Sequence, residues 1–101
     1  MSRTAAPEPA AVRNTAREQL IGSIAGKWAR AAAAQTFQRT QACTAEQTRE
    51  MLEDLALSIV MEARKRFPDD AHLAELWREA ANEAACAQLT AAADGGVAAV
   101  R

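Results

Sequence analysis

Alanine fills 27 of the 101 positions, and that excess decides what kind of core this chain can build. An alanine methyl removes little surface from water, and burial returns roughly 25 cal/mol per Å². Hydrophobic residues make up 50% of the chain, but more than half of them are alanine. There are two Trp, two Phe and no Tyr. A chain of this length already has a thin core. Two remedies are open to it. Alanine-lined helices approach closely and gain dispersion contacts, or the chain buries further surface against a second copy or another protein.

The rest of the composition excludes several classes. Twelve basic residues against thirteen acidic give a net charge of -1, which does not fit a disordered acidic or basic tail protein. Two cysteines, Cys43 and Cys86, are too few for a disulfide framework and read as reduced thiols. Residues 1–17 contain no apolar run of the secretory type. The longest apolar stretch, Leu20 to Ala34, is interrupted by Lys27 and Arg30 and is too short for a bilayer. The expectation is a cytoplasmic protein with no membrane contact. Its Ala- and Arg-rich usage suits a GC-rich bacterial or phage genome.

Punctuation divides the chain into an expected tail over residues 1–13, a helical unit over 14–93 and a flexible end over 94–101. Pro7 and Pro9 mark the first boundary. Asp94-Gly95-Gly96 reads as a helix cap followed by a loose end. Three helical segments lie between, and no stretch alternates apolar and polar residues as a strand does. The first starts at Asn14 or Thr15, where Thr15 and Glu18 have capping-box spacing, and runs to about Thr40. The second starts at Thr44, where Thr44 and Gln47 repeat that spacing. It stops near Phe67, because Pro68 disfavours helical geometry just before it. The third starts at Asp69 or Asp70, either of which can cap it, and runs to about Ala93. The fold class is therefore all-α: an antiparallel three-helix bundle with mobile N- and C-terminal tails. Helix content above about 65% is expected, against a globular mean near a third.

Each segment carries apolar residues at helical spacing. The first aligns Leu20, Ile21, Ile24, Trp28, Ala31 and Ala32. The second aligns Leu52, Leu55, Ala56, Ile59, Val60, Ala63 and Phe67. The third aligns Leu73, Leu76, Trp77, Ala80, Ala81 and Ala84, with Gln88 continuing the same face. The first also carries a strip of small residues, Gly22, Gly26, Ala29 and Ala33, on another side. A glycine inside a helix costs about 1 kcal/mol relative to alanine, so close approach of another backbone is the expected return. That backbone belongs either to a helix of the same chain or to a second copy.

Little in the sequence carries catalytic chemistry. His72 is the only histidine and sits beside Asp69, Asp70 and Glu75, where a solvated capping turn is expected rather than a metal site. No identified nucleophile or phosphate loop accompanies it, and the carboxylates of the second helix are spaced as a solvated acidic face, so no cofactor and no enzymatic activity is expected. Charge, however, is uneven. Residues 1–43 carry a net +4 and residues 44–101 a net -5. The acidic residues Asp54, Glu62, Asp69, Asp70, Glu75, Glu79 and Glu83, together with Leu57 and Met61 outside the main apolar stripe, form a candidate partner-binding set. The expected function is that of a small non-enzymatic helical protein binding another protein or complex, as adaptors, assembly factors and phage- or plasmid-type inhibitors do, with a homodimer as one form of such binding. The alternative is a DNA-binding regulator using the basic N-terminal half. The slight negative charge and long helices disfavour nucleic acid.

Overall fold

The computed structural model describes residues 15–100, and side-chain packing for residues 15–95. The expected tail over residues 1–13 lies outside the described residues. Three helices follow in order: α1 (Ala16–Thr40), α2 (Ala45–Arg66) and α3 (Ala71–Val100). They account for 89% of the described residues, with no strand among them.

The helix starts follow from local chemistry. The Thr15 and Thr44 hydroxyls accept from the backbone N–H of Glu18 and Gln47, at 3.3 and 3.1 Å. The side chains of Glu18 and Gln47 accept in return from the N–H of Thr15 and Thr44. Both boxes are thus closed, each satisfying donors that a helix start leaves open. Asp70 rather than Asp69 opens α3: its Oδ1 accepts from the N–H of Leu73 at 3.1 Å. Phe67 ends α2 at φ -132°, ψ 66°, outside the helical region as a residue before proline prefers. At the other end of α3, helix continues through Asp94 and Gly95 to Val100, past the stop expected near Ala93. Gly95 does not take the left-handed conformation of a glycine cap, so nothing terminates the helix there.

α1 and α3 make the most extensive contact in the molecule. A Cβ built on Gly22 would stand 3.8 Å from Ala80 Cβ, and one on Gly26 would stand 3.7 Å from Ala84 Cβ. The register rises along both helices together, so α1 and α3 run parallel, and α2 returns antiparallel between their ends. The small-residue strip of α1 therefore meets a helix of its own chain, through the alanine methyls of α3. Gly26, Ala29 and Ala33 are buried there and Gly22 is half-buried.

This contact overturns the expected core face of α1. Ile21 is buried, with Trp28 and Ala32 packed against the core. But Leu20 is 60% and Ile24 43% exposed, and Ala31 is exposed too. The buried arc is centred instead on Ala25 and Ala29. Large side chains on that arc would hold the two helices apart, so the seam takes mostly small residues, and Leu20 and Ile24 face outward. In α2, Leu55, Ile59 and Ala63 are buried as expected, while Leu52 and Ala56 are exposed.

Bulk comes from a few residues. Trp77, 1% exposed, and Ile59 are the largest fully buried side chains. The Trp77 ring lies 5.2 Å from that of Trp28, tilted 60°. The Arg66 guanidinium sits 5.3 Å from the Trp77 ring centre, within cation–π range. All three helices thus converge on one indole. Its Nε1 has no acceptor among the described residues.

Two outcomes follow for stability. Trp77→Ala is expected to cost about 3–5 kcal/mol in chemical denaturation, as for other fully buried large residues. At Gly26, an added methyl displaces only the tip of Arg30, 3.2 Å away. Gly26→Ala is therefore expected to hold or gain stability, up to about 1 kcal/mol through helix propensity. Gly26→Leu overpacks the α1–α3 seam and loses about 1–3 kcal/mol. A Leu variant as stable as the Ala variant would place the strip outside the bundle.

Candidate interaction surface

The acidic candidates do not share one face. Glu62 is half-buried on α2 and pairs with Arg66 at 2.8 Å. Asp70 is spent on the α3 cap, with exposed Asp69 beside it in the connection. Glu75 pairs with Arg78 one turn on, and its Oε1 accepts from Arg78 Nε at 3.0 Å. That hydrogen bond holds the Glu75 carboxyl below the usual carboxylate range and raises the Arg78 guanidinium. Glu79 and Glu83 line a shallow depression between α1 and α3 together with Glu18, Gly22 and Leu76. Asp54 stands exposed on α2, beside a second depression shared with Arg39 of α1. These side chains divide among the outer side of α2, the α2–α3 connection and the α3 surface.

Leu57 and Met61 do come together. They lie one turn apart on α2, 56% and 60% exposed. At 100° per residue, they sit roughly opposite the buried line of Leu55, Ile59 and Ala63. Glu50, Glu53 and Asp54 are exposed toward the N-terminal side of the same surface, and Arg64 and Lys65 toward its C-terminal side. None of Glu53, Asp54, Arg64 and Lys65 forms an ion pair with another described residue. The result is a two-residue apolar centre flanked by acid at one end and base at the other.

Two features of the surface were not read from the sequence. An apolar cleft of about 210 Å³ opens between α2 and α3, lined by Leu52, Ala56, Ile59, Ala85, Cys86 and Leu89. It exists because α1 holds α3 close and α2 rests less extensively on that pair. The periodicity of α2 placed Leu52 in the core, and only the relative helix spacing shows otherwise. His72, in turn, reaches across to α1, with Nε2 2.9 Å from Glu18 Oε2. Glu18 thereby serves its own capping box and ties the start of α3 to the start of α1. No local pattern relates residues 54 positions apart.

Both cysteines are free. Cys43 donates to the Arg39 carbonyl at 3.3 Å, and Cys86 opens onto the apolar cleft. Among the described residues no group of three or more His, Cys, Asp or Glu side chains is placed to hold a metal ion. No described helix is long and apolar enough to cross a membrane. Of the exposed bases of α1, Arg17, Lys27 and Arg39 fall on one side of the helix and Arg30 further round it, but they stand roughly ten residues apart along the axis and form no continuous stripe. Comparison with protein-family models, curated proteins and solved structures finds no match for the chain.

Two substitutions test these contacts. His72→Ala removes an interhelical bond from a side chain that is 57% exposed, and a loss of no more than about 1 kcal/mol is expected in thermal or denaturant unfolding. A larger loss would make that bond a structural anchor. Arg78→Ala withdraws the hydrogen bond that depresses Glu75, so the Glu75 carboxyl should titrate at higher pH. Carbon-detected NMR titration reads this directly, and an unmoved midpoint would contradict the pairing.

Proposed function

We propose that this chain is a non-enzymatic interaction module that binds a protein partner through the outward face of α2. The carrying observation is the exposed Leu57–Met61 pair on an otherwise charged face of that helix. An apolar centre within a charged surround is how interfaces concentrate affinity in a few residues and leave orientation to the rim. Methionine suits such a centre because its unbranched thioether adapts to its neighbour. Glu53 and Asp54 on one flank and Arg64 and Lys65 on the other, unpaired with other described residues, would set the partner's orientation and speed its approach. Adaptors, assembly factors and small inhibitors of larger complexes all act this way, and cytoplasmic location is part of the proposal. Nucleic-acid binding is the weaker reading, because the bases of α1 are widely spaced along its axis and the chain's net charge is -1.

The test is site-specific photo-cross-linking in the cell of origin. A photoreactive residue at position 57 is expected to form a protein adduct identifiable by mass spectrometry, while one at exposed Gln38 on α1 does not. Adducts from position 38 alone, or none from either site, would overturn the assignment. A nucleic-acid complex whose affinity falls steeply with salt would favour the DNA-binding alternative.

A further inference from the structure

We infer that the partner of the α2 face is a second copy of this chain, docked antiparallel across a two-fold axis at the level of Ile59. The inference rests on reading that face as a docking surface and names its occupant.

The argument is the symmetry of the face. In a two-fold contact the same patch must complement itself. When two α2 helices meet antiparallel about residue 59, a residue two positions before the centre faces one two positions after it. Leu57 then lies on Met61 of the second copy, and Met61 on its Leu57. Five or six positions out, Glu53 and Asp54 of one copy meet Arg64 and Lys65 of the other, and the same happens at the opposite end. All six side chains are exposed, and the four charged ones form no ion pair with another described residue. The order acid, apolar, base along a single face is self-complementary only in the antiparallel arrangement. A parallel pair would set acid on acid and base on base.

The alternative self-contact, through Leu20 and Ile24 of α1, fails the same criterion. Arg17 and Lys27 flank that pair on both sides, so two copies meeting there place like charges together. The small-residue strip of α1 is already covered by Ala80 and Ala84 of the same chain. Of these three surfaces, the outward face of α2 is the one with charge complementarity to itself. The contact is one helix wide, and such an interface falls toward the weak end of specific association. Exposed ion pairs at its flanks are screened by salt.

The test is sedimentation of the full chain over a wide concentration range, with two charge-reversed variants. One carries Glu53→Lys and Asp54→Lys, the other Arg64→Glu and Lys65→Glu. Wild type is expected to dimerise reversibly, more weakly at high salt. Each variant alone should associate at least ~10-fold more weakly, since both of its flanks become like-charged. An equimolar mixture should recover a dimer, because acid again faces base. That recovery also shows that both variants remain folded, and circular dichroism checks each separately. A wild type that stays monomeric up to ~1 mM overturns self-pairing, as does a mixture no more associated than its components. Cross-linking from position 57 judges the docking face separately. An adduct to a different protein from a monomeric chain would retain the face and reject the second copy as its occupant.

Discussion

The close approach of α1 and α3 is the constraint on which the rest of this structure depends. Gly22 and Gly26 face Ala80 and Ala84 at what would be ordinary van der Waals distance from a methyl group. At Gly26 the tip of the Arg30 side chain lies closer still, 3.2 Å from the same point. The seam gains many short dispersion contacts from groups that individually bury little surface. This is how an alanine-rich chain obtains a stable contact from side chains that yield little transfer energy. The glycines themselves are not required by this approach: a methyl at Gly22 would make ordinary contact with Ala80, and one at Gly26 would meet Ala84 and the movable tip of Arg30.

The same seam determines what is left outside. Because the buried arc of α1 is occupied by small residues, Leu20 and Ile24 face away from α3. α2 supplies bulk through Leu55 and Ile59 and covers Trp77 with Arg66, but it rests on the α1–α3 pair less extensively. The cleft at Leu52, Cys86 and Leu89 is the space that this looser fit leaves. The outer side of α2 retains an apolar centre and charges unpaired with other described residues, which is why the proposed docking face is there. Structure and proposed function thus share one cause: a pair of helices drawn tightly together and a third left with surface to spare.

The helix starts and the end of α2 were legible in the sequence because they are set by local chemistry. Thr15 with Glu18, Thr44 with Gln47, and Pro68 after Phe67 each act within one turn. The end of α3 was not legible, since helix continues past the glycine stop expected near Ala93. Packing faces were less legible. Periodicity weighted by residue size selects Leu20 and Ile24, whereas the actual seam selects residues that let backbones approach. The small strip was visible, and the open question was which backbone it met. For the surface, Leu57 and Met61 could be separated from the stripe of α2 by angle alone. The acidic set could not be assembled correctly from composition. Glu62, Asp70 and Glu75 are committed to Arg66, a helix cap and Arg78, and such pairings depend on individual rotamers. The His72–Glu18 bond and the α2–α3 cleft depend on how whole helices are placed, which no short pattern encodes.

The central claim is that the α1–α3 seam closes within one chain. Nuclear Overhauser spectroscopy tests it most directly, using a mixture of isotope-labelled and unlabelled protein to separate contacts within a chain from those between chains. The account predicts contacts from the Gly22 and Gly26 α-protons to the Ala80 and Ala84 methyls, respectively, all within one chain and unchanged on dilution. Their absence, or their appearance only between labelled and unlabelled molecules, would contradict it.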